Sequence, residues 1–189
     1  MLLSLTAYAI IPLYTLMFVS GTNWFTSNLS VIGNWPDRRS AFFFLGIIIG
    51  LYYLIVLKRL LSCLPHRNLE TGILYTAFSL LIFAILTPYL PEAVPFQSFL
   101  HVAFAFTASL LLALSLYLIL RHLSALSQAS RRFLRPYRIF LAVIIAVSGV
   151  LLVIAGIISS ALEIFFIIAT TILVQRLYNH YPLISSEYH

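Results

Sequence analysis

The stretch Phe99-Leu-His-Val-Ala-Phe-Ala-Phe-Thr-Ala-Ser-Leu-Leu-Leu-Ala-Leu-Ser-Leu-Tyr-Leu-Ile-Leu120 decides the fold. It holds no Asp, Glu, Lys or Arg, and a helix crossing a hydrocarbon layer of about 30 Å needs roughly 20 such residues. Five further apolar runs accompany it, so that the spacing predicts helices at 2–19, 41–57, 71–87, 99–120, 139–158 and 161–174. Each is bounded by charged, proline or small polar residues. The last two are separated by Ser159 and Ser160 after Gly156. Together they far exceed one bilayer thickness, so they read as a tight helical hairpin.

The rest of the composition agrees. The chain has 189 residues, 62% hydrophobic and 8% charged, with a mean hydropathy of +1.04. Such a balance excludes a soluble globular domain and leaves no room for a sizeable one beside the spans. The expected fold is all-α: a single polytopic six-helix transmembrane domain over 1–189, without internal repeats. The lone cysteine, Cys63, excludes an intrachain disulfide and a cysteine-built zinc site. Since no basic residue precedes Leu2 and Gly-Thr-Asn-Trp follows Ser20, the first run reads as a retained helix, not a signal peptide.

Charge sets the expected orientation. Lys58, Arg59 and Arg67 follow the second run, Arg121, Arg131, Arg132, Arg135 and Arg138 lie between the fourth and fifth, and Arg176 follows the sixth. Only Arg38 and Arg39, beside Asp37, lie on the opposite side. The positive-inside rule therefore places both termini in the cytoplasm, in a membrane of unspecified identity. The formal net charge of +6 then faces anionic head groups at the cytoplasmic rim rather than nucleic acid. Segment 130–138 reads first as a topology signal and second as a site for a specific anionic lipid.

Polar groups inside a span cost about 2.5–3.5 kcal/mol when charged and central, so each calls for a reason. Glu163 and His101 read as the lone carboxylate and the lone histidine inside apolar runs, both within a turn or two of the outward end. The outward connection 21–40 is the most polar part of the chain and offers Ser27, Asn28, Ser30 and Asp37 at the same depth. These residues are the candidate ligand-binding set, with His101, Glu163 and Ser30 the candidates for catalysis. A serine, a histidine and an acid are the parts of a hydrolase or acyltransferase, the carboxylate orienting the imidazole. Metal ligation by His101, Glu163 and Asp37 is an alternative, although the spacing matches no metal motif. The plainest reading is that His101 and Glu163 bond to each other or to the first loop and fix the packing.

Three structural signals remain. Gly46 and Gly50 share a helix face that admits close backbone approach, either to a neighbouring helix of this chain or, less favoured, to a second copy or another membrane protein. Pro12 and Pro88 interrupt the first and third helices and free carbonyls that can line a cavity. Asn28-Leu29-Ser30 matches the glycosylation sequon, usable only in a eukaryotic secretory host.

The first-loop sequence Ser30-Val31-Ile32-Gly33-Asn34-Trp35-Pro36-Asp37, followed by Ala41-Phe42-Phe43, resembles the Ser-x-x-Gly-x-x-Pro signature of the family of damage-regulated autophagy modulators and Frag-type proteins. His101 near the start of the fourth helix and Ala161-Leu162-Glu163 at the start of the sixth are similar to that family's histidine and glutamate. Bacterial six-helix families of unknown function share the layout. The resemblance implies a six-helix protein concerned with membrane lipid, with Ser30, Gly33, Pro36, His101 and Glu163 as the positions carried over and Gly33 and Pro36 as structural.

The leading expectation is a lipid-associated protein that binds or helps remodel a lipid head group at an outward-facing site, the first loop acting as a lid. A non-enzymatic assembly or regulatory subunit is the alternative, and a small transporter titrating His101 and Glu163 a third. Nothing in the residues names a cofactor, and catalysis stays open.

Overall fold

The computed structural model describes residues 1–62, 64 and 67–180. Cys63 lies outside the described residues. The first span runs through α1 (Leu2–Leu5), a π-helical segment (Thr6–Ile10) and α2 (Ile11–Phe18). A short helix α3 (Leu29–Gly33) follows, then α4 (Arg39–Leu61), α5 (Asn68–Leu86), α6 (Pro95–Leu126), α7 (Gln128–Ala155) and α8 (Ser160–Asn179). Helices α4 to α8 are each long and apolar enough to cross a membrane, and the first span is a shorter apolar helix. The chain is a multi-pass helical membrane bundle of about six helices. Phe44, Leu86, Phe99, Val153 and Ile154 are all more than half exposed. In water such a surface would be penalised by about 25 cal/mol per Å², whereas acyl chains impose no such penalty.

Local chemistry explains where the helices bend and stop. Pro12 has no N–H, so the Tyr8 carbonyl lacks its usual donor and is crowded by the ring. The π-helical turn at Thr6–Ile10 widens the backbone just there. Pro88 pushes Thr87 into an extended conformation, ψ 123°, which ends α5. Between α7 and α8, Gly156 takes φ 67° and donates its N–H to the Leu152 carbonyl at 2.9 Å. Ser159 then caps α8 by accepting from the Leu162 N–H, which completes the tight hairpin.

The helices outrun the apolar segments of the sequence. Helix α6 has 32 residues, about 48 Å at 1.5 Å per residue, well beyond a hydrocarbon core. Only Ser127 separates it from α7, and its Oγ accepts from the Ser130 N–H at 3.0 Å to start the next helix at once. Residues 121–138, expected as a connection, are thus almost wholly helical, since helix satisfies every backbone group in the interface without help. The extension also brings a second acid and histidine, just outside the apolar runs, into the helices. Glu70 lies in the first turn of α5, fully buried, with Oε1 2.6 Å from Nδ1 of His122 on α6.

Helix α8 is the central one: half of its most apolar window is buried, against 11% for α7. Tyr53 of α4 bonds to the hydroxyls of Thr170 and Thr171, the latter at 3.0 Å. Tyr52 donates to Gln175 Oε1 at 3.1 Å, and Gln175 donates in turn to Ser4 Oγ at 3.2 Å. These bonds tie the first span, α4 and α8 together and bring the start of the first span beside the end of α8. Gly46 and Gly50 seat α5 of the same chain: an added Cβ would lie 2.6 Å from Ile85 Cδ1 and 3.1 Å from Phe78 Cε2 respectively. One end of the bundle carries Lys58, Arg59 and the arginines of α7, and α3 lies at the other.

Candidate functional site at the α3 end of the bundle

Three elements build the site, and α3 is the piece they hold. Asn28 caps this five-residue helix, its Oδ1 accepting from the Val31 N–H at 2.8 Å. The Leu29 N–H donates to Glu163 Oε2 at 2.7 Å. Glu163 sits in the first turn of α8, where a carboxyl also complements the helix dipole. The preceding loop is strapped to the same helix start, since Ser160 N–H donates to the Ser27 carbonyl at 2.7 Å and Ala161 N–H to the Trp24 carbonyl at 2.9 Å. Ser27 Oγ donates to the Asn23 carbonyl at 2.6 Å. Arg38 donates to the carbonyls of Phe18 and Ser20, closing the loop from its other side.

Held in this way, α3 presents Ser30 to α6. Ser30 Oγ lies 2.6 Å from Nε2 of His101, which is buried in the second turn of α6. The other ring nitrogen, Nδ1, lies 2.8 Å from the Thr87 carbonyl. A carbonyl can only accept, so in the neutral ring Nδ1 carries the proton and the Nε2 lone pair accepts from the serine hydroxyl. The carbonyl in question is one of those left without a helical partner where Pro88 stops α5. The Tyr89 ring packs beside the imidazole with centroids 5.5 Å apart, and the Asn34 amide donates to the Tyr89 carbonyl.

This arrangement sets a hydroxyl and an imidazole in hydrogen-bond contact, with the ring oriented by a backbone carbonyl, which is the geometry a serine nucleophile and its base would need. It differs from the expected triad in one respect. Glu163 does not orient His101; it holds the backbone of Leu29, the residue before Ser30. The hydrogen bonds of Glu163 and His101 thus meet on neighbouring residues of α3, Leu29 and Ser30, and not on each other. Asp37 is 76% exposed and pairs with its neighbour Arg38 at 3.9 Å, so it does not join them. Among the described residues no group of three or more His, Cys, Asp or Glu side chains gathers in a way that could hold a metal ion, so the alternative ligand set of His101, Glu163 and Asp37 is not assembled.

The Ser30 and His101 pair opens onto a cleft of about 540 Å³. Its lining mixes polar residues, Ser30, Asn34, Arg39, Ser40 and His101, with apolar ones, Phe42 to Phe44, Ile85 and Leu86. Phe43, Phe44 and Leu86 are exposed, so these apolar lining residues also meet the surroundings of the bundle. Gly33 lets the walls meet, because a Cβ there would come within 2.5 Å of the Phe42 ring. Pro36, in contrast, is an exposed turn residue. Thr87, Tyr89, Asn34 and Arg39 were not legible as site residues; Pro88 announced a freed carbonyl near Thr87, and Asn34 stood inside the first-loop pattern without a role.

No protein-family model matches the chain, and no curated protein or solved structure matches it. The chemistry of the cleft therefore rests on its own geometry.

Proposed function

We propose that this protein takes the head group of a membrane lipid into the cleft between α3, α4, α5 and α6, with both termini cytoplasmic and the cleft in the opposite leaflet. The orientation follows from the concentration of basic residues at the other end of the bundle. One observation carries the functional reading: a hydrogen-bonded Ser30 and His101 pair lines a cleft that also holds exposed Phe43, Phe44 and Leu86. A lipid joins the same two chemistries. Arg39 supplies a cation for a phosphate, Ser30, Asn34 and Ser40 supply hydrogen bonds, and Phe42 to Phe44 with Leu86 accommodate the first acyl carbons. The resemblance of the Ser30, Gly33 and Pro36 pattern to a lipid-associated family points the same way.

Native mass spectrometry of the protein released from nanodiscs tests this reading. The unaltered chain is expected to retain lipid, and Arg39→Gln with His101→Ala to lose most of it while the bundle stays folded. Full retention by the double variant would overturn the proposal.

The contact of Ser30 with His101 also favours a second reading, acyl transfer. Nε2 of His101 accepts the Ser30 proton as Oγ attacks an ester carbonyl; the ester C–O bond breaks and the departing alcohol takes the proton from Nε2. The acyl group then passes from Ser30 to water or to another hydroxyl. Mass-tagged acyl-Ser30 trapped from a labelled ester would support this reading, and Ser30→Ala that turns over lipid at the unaltered rate would exclude it.

A further inference from the structure

The arginines at the far end of the bundle are placed in a way that a topology signal does not require. Arg131, Arg135 and Arg138 stand at i, i+4 and i+7 of α7, so they form one stripe, with Arg132 beside it. The same stripe continues into Ala142, Ile145 and Ala146. Together with Tyr117 of α6 these residues line a groove of about 870 Å³. All four arginines are exposed. Among the described residues the two acid–base contacts at ion-pair distance are Arg38 with Asp37 and His122 with Glu70, so no described carboxylate lies within ion-pair distance of the four. Like charges in this register repel along a helix. The positive-inside rule counts such charges near a span end but asks neither for a common face nor for a groove.

We propose that this groove binds an anionic phospholipid that carries a phosphomonoester outward of its phosphodiester. Four guanidinium groups suit two phosphates, each held by a pair. Depth supports the choice: from Arg131 to Arg138 the helix rises about 10 Å. One interfacial layer of a bilayer is only about 5–8 Å thick. Phosphates at successive depths meet this ladder, whereas a single phosphodiester, or two lying side by side, engages only part of it. Below Arg138 the small side chains of Ala142 and Ala146, flanked by Tyr117 and Ile145, leave a trough for an acyl chain. The site lies at the opposite end from the Ser30 cleft and does not depend on what that cleft binds.

Native mass spectrometry of the full chain, titrated with phosphatidylinositol 4-phosphate, phosphatidylglycerol, cardiolipin and phosphatidylcholine, tests the proposal. The phosphoinositide is expected to bind at least about tenfold more tightly than the other three. Arg135→Gln with Arg138→Gln should weaken it about thirtyfold, and Arg135→Lys with Arg138→Lys should restore only part, because ammonium groups lack the bidentate fork. The charge-matched control Lys58→Gln with Arg176→Gln should leave it within about twofold. Equal binding of phosphatidylglycerol or cardiolipin, or equal losses in groove and control variants, would overturn the proposal and leave a generic basic rim.

Discussion

Replacing Glu163 with alanine should loosen α3 without unfolding the bundle. The carboxyl accepts from the Leu29 N–H at 2.7 Å, and Leu29 is only 5% exposed, so its amide depends largely on this bond. Leaving a buried donor unsatisfied costs about 1–3 kcal/mol. If that cost falls on the α3 turn alone, the turn opens about five- to 150-fold more often. The larger core cluster is not involved, because Tyr52, Leu57, Leu120 and Leu173 belong to it while Leu29 and Ile32 pack in a smaller one with Phe18, Val19, Leu45 and Ile164. Hydrogen exchange on protein in nanodiscs reads the effect: the Leu29 and Val31 amides should lose protection by that factor, while amides in the middle of α8 stay unchanged. Glu163→Gln keeps an acceptor oxygen and should lose less than the alanine variant. Unchanged Leu29 exchange in Glu163→Ala would refute the positioning role assigned to this carboxyl.

Three more outcomes follow from the same packing. Gly33→Ala places a Cβ against Phe42 and should lower stability by about 1–3 kcal/mol, seen as a reduced melting temperature, with lipid retention falling as the cleft wall shifts. His122→Ala leaves the buried Glu70 carboxyl without its partner at 2.6 Å. Because His122 is half-exposed, the expected loss at neutral pH is about 1–3 kcal/mol in chemical denaturation, and Glu70→Gln in the same chain should recover part of it. Tyr53→Phe removes the hydroxyl that bonds to Thr170 and Thr171 and should cost about 0.5–1.5 kcal/mol, with no effect on lipid retention.

The spans were legible because hydrocarbon imposes a composition that soluble folding does not. Their ends were not, for a physical reason. A helix that leaves the hydrocarbon keeps its own hydrogen bonds, so α6 and α7 continue through Arg121 to Arg138 although hydropathy falls. The same continuation hid Glu70 and His122, which sit just beyond the apolar runs. At the site, sidedness alone was enough to suggest that Ser30, His101 and Glu163 approach one another. It did not reveal which groups touch: that Glu163 bonds to a backbone N–H and His101 to the Thr87 carbonyl depends on a five-residue helix and a proline-stopped helix end, and neither has an apolar period. Asp37 looked equivalent to Glu163 by depth, yet the turn at Pro36 leaves it exposed beside Arg38.

The central claim is that the cleft receives a polar lipid head beside Ser30 and His101. Electron cryomicroscopy of the protein in nanodiscs made from its native lipids tests it most directly. The account predicts ordered head-group density against Arg39, Ser30 and His101, with acyl density leaving past Phe43 and Leu86. Acyl tails filling the cleft as far as the imidazole, with no polar head group present, would contradict it.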